Sequence, residues 1–274
     1  MTTSLNIKTI SSLKQYSSFI EEKLKSSTDQ ILWFRGTGKS TYSLSPSIHR
    51  HNEIIEDEKI IELETKIIDR FNQRSVPFLI RPLDNTNDWE TIFFMQHYRI
   101  PTRLLDWTEN PFIALYFALT SAKFEISLNK KNYIDDIAVW VLDPVAWNRE
   151  SLKDYTYNQG ILSVQEHFLE SYKPRIKFDG MREKPVAIYG THNSARIVAQ
   201  RGVFTVFGKK IQSMEKTYIE ENYKQDCLIK IEFPKNKINY LLESLTSLGI
   251  TDSVIYPDLE GLGKEVMRFF KFNL

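Results

Sequence analysis

The chain has 274 residues, 42% of them hydrophobic and 26% charged, which is enough to bury a sizeable core in one large domain or two small ones. A formal net charge of +1 gives no global steering toward nucleic acid or an acidic membrane, and one cysteine, Cys227, excludes an internal disulfide framework or a zinc-ribbon spacing. No apolar run is long enough to span a bilayer and MTTSLNIKTISSLKQ lacks the apolar core of a secretory signal, so a cytoplasmic protein without a membrane partner is expected.

Ser11 or Ser12 caps an amphipathic helix to about Lys25, and residues 1–29 read as a helical lead-in. QILWFRG is a buried strand that delivers Arg35 and Gly36 at its end, followed by a turn-rich segment from Thr37 to Ser47. GTGKST is not a phosphate loop, because the glycine needed five positions before Gly38 is Trp33, whose ring blocks backbone approach to a phosphate. Glu53 to Arg74 is spaced as a long amphipathic helix, and Pro77 and Pro82 bracket a loop. Asn87 or Asp88 caps a helix through about Tyr98, which Pro101 breaks by pushing Ile100 out of the helical region. Leu104 to Trp107 is a short strand or extended turn, and Asn110–Pro111 starts a helix through ALYFALTSA.

Ile137 to Leu142 is a buried strand closed by Asp143–Pro144. Residues 148–181 are polar and irregular and read as a long insertion or mobile lid. Pro185 to Tyr189, Arg196 to Ala199, Val203 to Phe207 and Cys227 to Phe233 are expected strands, with Cys227 as a small buried hydrophobe. Ile238 to Leu248 and Leu259 to Phe270 are closing helices separated by extended SVIYPD. Strands scattered among helices predict an α+β fold in a single domain, with mixed or antiparallel sheets flanked by helices.

The chain is organised around Trp89 to Ala118, where Gln96, His97, Arg103, Asp106 and Thr108 interrupt an apolar run. Polar groups so dense in a core-forming stretch form either a satisfied structural network or a site. Arg35 is either a latch to a carboxylate such as Asp106 or an anion clamp, with Gly36 letting a ligand approach the backbone. His97 can bond a ribose hydroxyl or act as a general base whose tautomer Asp106 fixes; no second histidine stands at ligand spacing, so no metal is expected. Asp106 or Glu109 caps the helix at Asn110, or else supplies a carboxylate to the pocket. Arg196 alternates with Ile197 on an expected strand, facing solvent or a ligand; Trp107 and Tyr116 pack in the core or stack on a base. Asp258, after Pro257, is a candidate cap for the last helix.

WFRG at Trp33–Gly36, QHYRIPTRLLDWTENPFIALYFA at Gln96–Ala118, NSARIVAQRGVF at Asn193–Phe204 and IYPDLEGL at Ile255–Leu262 together resemble the FRG-domain family of bacteria and phages, taken here over residues 30–274. The aromatic-Arg-Gly at a strand end also resembles, more distantly, the opening of the ADP-ribosyltransferase fold. That likeness implies an ADP-ribosyltransferase-like core with NAD as substrate. Arg35, Gly36, Arg103, Thr108, Arg196 and Gln200 would bind the nucleotide, and His97, Asp106 and Glu109 would serve the chemistry. In this likeness Thr108 takes a Ser/Thr position and Gly202–Val203–Phe204 echoes a Gly-x-Phe. The expected Glu-x-Glu falls on Ser194–Ala195–Arg196, which has no carboxylate, and Glu109 is the best substitute. The implied role is a toxin-like effector in anti-phage defence, acting on a protein or nucleic-acid acceptor and restrained by a neutralising partner protein. Two alternatives stand beside it: a non-catalytic module binding a nucleotide, nucleic acid or protein, and a metal-independent nuclease using His97 with Arg35.

Overall fold

The computed structural model describes residues 3–79, 88–127, 130–190, 195–223 and 226–272. The expected elements at Asn87, Pro82 and Ser194 lie outside the described residues. In chain order the chain forms β1 (Asn6–Thr9), α1 (Leu13–Ser26), β2 (Trp33–Thr37), α2 (Asp57–Ser75), α3 (Asp88–His97), β3 (Leu104–Thr108) and α4 (Pro111–Thr120). Then follow β4 (Phe124–Ser127), β5 (Lys130–Tyr133), β6 (Ile137–Leu142), α5 (Pro144–Ser151), β7 (Leu162–Ser163), β8 (Val186–Tyr189), α6 (Ala195–Gln200) and β9 (Gly202–Val206). The last elements are α7 (Met214–Glu220), β10 (Leu228–Phe233), α8 (Ile238–Ser247), α9 (Asp252–Ile255) and α10 (Leu259–Phe269).

Eight strands form one sheet in the order β1-β10-β6-β2-β3-β9-β8-β7, and β4 and β5 make a separate hairpin. The pairings β1 with β10 and β7 with β8 are parallel, and those between are antiparallel. This is the single α+β domain with a mixed sheet and flanking helices that the scattered strands predict.

Strand alternation sorts side chains onto two faces. On one face Phe34, Val139, Val141, Ile229 and Ile231 pack against α1, α4 and α8. Farther along that face a separate core gathers Leu104, Val186, Ile188, Phe204 and Val206 under Phe93 of α3. The opposite face is one continuous aromatic layer containing Trp33, Leu105, Trp107, Trp140 and Leu142, covered by Trp147, Tyr218 and Tyr223. Each such ring or branched side chain, once buried, contributes about 1.5–3 kcal/mol.

The two cores on the first face do not merge, and the sheet shows why. β2 and β3 share a single ladder pair, Phe34 with Thr108, whereas β3 and β9 pair over five residues. The sheet is thus nearly parted between β2 and β3, and the candidate site opens there.

Several elements differ from expectation. Arg196 to Ala199 is helical, not extended: α6 presents only Ile197 to the core and ends at Arg201, which takes φ 47°. The first three residues of SVIYPD are not extended but belong to the short helix α9, whose Asp252 carboxylate accepts from Tyr116 and Arg268. β1, the β4–β5 hairpin and α7 carry too few apolar positions to announce themselves; α5 starts at Pro144 on an Asp143 cap. The lead-in residues Tyr16, Phe19 and Ile20 belong to the first core. Within 148–181, Leu152, Tyr157, Leu162, Leu169 and Tyr172 are buried beside α3.

Candidate functional site

The alternation of LLDWT places Asp106 on the sheet face between the two cores, so a strand buried at its other four positions exposes its middle one. A cavity of about 480 Å³ opens at this point. Phe34, Gly36 and Phe117 line it from the β2–α4 side, Phe93, Gln96, His97 and Arg99 from α3 and the turn after it, and Asp106, Trp107 and Thr108 from β3. Arg196, Ile197, Gln200, Phe204 and Tyr256 close it. Arg35 lies in the wall as well.

Arg35 acts as a latch and still faces the cavity. Its Nη1 donates to the Asp106 carbonyl at 2.5 Å, supplying the bond that the interrupted ladder does not. The same nitrogen lies 4.0 Å from the Asp106 carboxylate, and the side chain stays 24% exposed. Burial pulls the guanidinium below its usual pKa, opposed by Asp106 and assisted by Arg50. The remaining Arg35 N–H groups have no hydrogen bond among the described residues.

Asp106 is held from the other side by Gln96. The Gln96 amide donates to Oδ2 at 2.8 Å, and its carbonyl accepts from Thr102 Oγ1 at 2.5 Å. Thr102 in turn accepts from the Leu104 N–H, so the Pro101 break in the chain fixes the amide that orients the carboxylate. With a side chain 57% exposed, Asp106 remains open to the cavity. His97 closes α3 with its ring 4.9 Å from that of Tyr98. Burial and then the Arg196 charge push its pKa down, which keeps the imidazole neutral and able to accept a proton at neutral pH.

The cavity therefore brings together seven of the nine expected site residues: Arg35, Gly36, His97, Asp106, Thr108, Arg196 and Gln200. Arg103 is not among them. Its guanidinium is fully buried on the far side of β3, bonded to Glu64 at 2.8 Å and to the carbonyls of Phe207 and Tyr172. Glu109 is also absent; its side chain is exposed beyond the cavity, with a backbone N–H donating to Arg201. Neither Asp106 nor Glu109 caps α4, because the side-chain amide oxygen of Asn110 accepts from the N–H groups of Phe112 and Ile113.

Three residues in the cavity carry structural duties that limit their roles. A Cβ on Gly36 would stand 1.9 Å from the Ala114 carbonyl, so the close backbone this glycine admits is that of α4. The Thr108 hydroxyl donates to the Gln200 carbonyl and accepts from the Asn110 N–H. Arg196 is clamped by Asp258 at 2.6 Å and Glu260 at 3.3 Å, and its guanidinium lies 5.4 Å from the Tyr256 ring centroid. Asp258 also caps α10 through the Gly261 N–H. Of the core aromatics, Trp107 lines the cavity while donating to Thr205, and Tyr116 is buried against Asp252. Arg99 and Tyr256 also line the cavity, outside the expected site residues, and Tyr256 falls inside IYPDLEGL.

Among the described residues no cluster of His, Cys, Asp and Glu is arranged to hold a metal, and no helix is long and apolar enough to cross a membrane. Cys227 is buried in the aromatic layer. Compared with known proteins, the chain matches no curated protein and no solved structure. Residues 30–125 match the family model described as FRG domain, a span that runs from the strand bearing Arg35 through Gln96, His97 and Asp106 to α4. Residues 30–125 are thus the part of the chain that is similar to an FRG domain.

Proposed function

We propose that the cavity binds NAD or a related nucleotide and that the protein transfers ADP-ribose or hydrolyses the bond between nicotinamide and ribose. The observation carrying this reading is an exposed carboxylate, Asp106, fixed by Gln96 beside the Arg35 guanidinium in a cavity also walled by aromatic rings. Aromatic walls suit a base, a guanidinium suits phosphate, and a carboxylate stabilises an oxocarbenium-like centre. An ADP-ribosyltransferase-like core, with the sheet parted at the substrate cleft, is part of the same proposal.

In the reaction the C1′–nitrogen bond breaks and nicotinamide leaves with the electron pair. Asp106 stabilises the cationic ribose carbon, and an oxygen of water or an acceptor attacks it. The proton of that oxygen passes to neutral His97 and then to solvent. Glu109 has no part, since it lies outside the cavity. A toxin-like role in defence, a macromolecular acceptor and a neutralising partner protein rest on the family resemblance. One observation favours a second reading, a non-catalytic nucleotide-binding module. No carboxylate stands at Ala195 or Arg196, and Arg196 is already clamped by two acids.

The test is incubation with NAD labelled in either half, following nicotinamide release and label transfer to lysate macromolecules. Turnover is expected, falling about 100-fold or more in Asp106→Asn. Nucleotide binding without turnover would leave the binding module, and loss of nucleic acid with NAD intact would leave a nuclease.

A further inference from the structure

Helix α3 ends in a Schellman motif. The Ile100 N–H donates to the Met95 carbonyl and the Arg99 N–H to the Gln96 carbonyl, which puts Arg99 at the position just past the helix cap. The motif requires a left-handed residue there, and Arg99 takes φ 59°. Glycine adopts that backbone without a steric penalty, and arginine does not. The chain thus bears a local strain to keep a guanidinium at this position, and the position lines the cavity.

The charges around the cavity show what that guanidinium adds. Arg196 is neutralised by Asp258 and Glu260, and Arg35 stands beside Asp106. Arg99 is exposed and pairs with no carboxylate among the described residues. Burial raises the pKa of the Tyr256 phenol across the opening, and Lys264, then Arg99 and Arg196, oppose that rise, so the Arg99 charge is felt there. A strained, uncompensated guanidinium at the mouth of an aromatic-walled cavity is placed for a phosphate entering from solvent.

We propose that Arg99 is the specificity-determining contact of this site for the phosphate groups of its ligand, a nucleotide bearing a diphosphate. The inference rests on the nucleotide reading above for the ligand's identity but not for the anion contact itself. The guanidinium fork meets two phosphate oxygens at once, which an ammonium cannot do.

Titration calorimetry with ADP-ribose, inorganic pyrophosphate and adenosine, on the wild type, Arg99→Gly and Arg99→Lys, tests it. Arg99→Gly is expected to raise the melting temperature by roughly 2–4 °C as the strain is relieved. The same variant should bind ADP-ribose and pyrophosphate roughly tenfold more weakly and adenosine unchanged, with Arg99→Lys between the two. A purely structural arginine would instead lower the melting temperature and leave phosphate affinity alone. ADP-ribose bound equally by Arg99→Gly and the wild type would overturn the inference and leave the nucleotide reading intact. Pyrophosphate bound through Arg99 with no affinity for ADP-ribose would do the reverse, and a wild type that binds none of the three would end both.

Discussion

Two arginines meet carboxylates on either side of β3, and their surroundings make them different devices. Arg103 and Glu64 are both sealed, at 0% and 1% side-chain exposure, and the guanidinium ties α2 to the carbonyls of Phe207 and Tyr172. Arg35 and Asp106 stand 4.0 Å apart at a cavity, with 24% and 57% of their side chains exposed. The first arrangement turns three guanidinium nitrogens inward onto the scaffold and leaves none facing solvent. The second keeps donors and a carboxylate facing solvent, which is what binding and chemistry need. Sequence proximity is no guide here, because Arg103 and Asp106 are three residues apart.

Truncating one member of each pair should break or uphold that contrast. Arg103→Ala leaves Glu64 charged in the core and two carbonyls without a donor, so a loss of about 3–5 kcal/mol in urea unfolding is expected. Arg35→Ala removes one charge-assisted bond in a partly solvated wall and should cost about 1.5 kcal/mol, with ligand affinity reduced. Equal losses for the two variants would show that Arg35 is as much scaffold as Arg103.

Gly36 draws the next boundary. It lines the cavity, yet the backbone pressed against it belongs to α4: a new Cβ would meet the Ala114 carbonyl at 1.9 Å and the Ala118 nitrogen at 2.6 Å. Gly36→Ala must therefore push α4 off β2, an overpacking cost of about 3 kcal/mol. Thermal unfolding measures it, and a variant as stable as the wild type would show that the glycine serves the ligand rather than the helix.

Much of this was legible in the residues, for stateable reasons. Asp106 in LLDWT announces itself because a carboxylate at a core-alternating position has to go somewhere special. The Ser12 cap carries its own local chemistry and accepts the Gln15 N–H, whereas at α4 the cap is Asn110 itself and not a neighbouring acid. The burial of Arg103 was readable too, but from a distant place: Glu64 sits four residues after Ile60 and four before Ile68, on the apolar stripe of α2, and so demands a buried cation. That carboxylate draws Arg103 away from the cavity. Glu109 was misplaced because no local pattern says which way an exposed loop acid points. Ile197–Val198 in α6 is a pair too short for its period to distinguish helix from strand. The Arg99 backbone became visible only through the two hydrogen bonds that end α3.

His49 offers the finest test of the sealed region, because pH reads it without disturbing the cavity. Both ring nitrogens are buried without a hydrogen-bond partner among the described residues, and the ring stands edge-on to Phe207 at 5.4 Å. Burial, then the nearby Arg103 charge, pushes its pKa from 6.5 down to about 3. The folded protein therefore holds His49 neutral where the unfolded chain protonates it, so the unfolded state binds the extra proton between those two values. This contribution to stability is complete above pH 6.5 and is lost as pH falls toward 3. At pH 5 the loss from this group is about 2 kcal/mol, one and a half pH units below the unfolded value. His49→Phe keeps an aromatic edge against Phe207 and has no proton to take up. Urea unfolding at pH 7 should find the variant close to the wild type, and at pH 5 the variant should be the more stable of the two. Parallel losses in both proteins between pH 7 and pH 5 would mean that water reaches the imidazole, and that the region around Arg103 is less sealed than the cavity wall it is contrasted with.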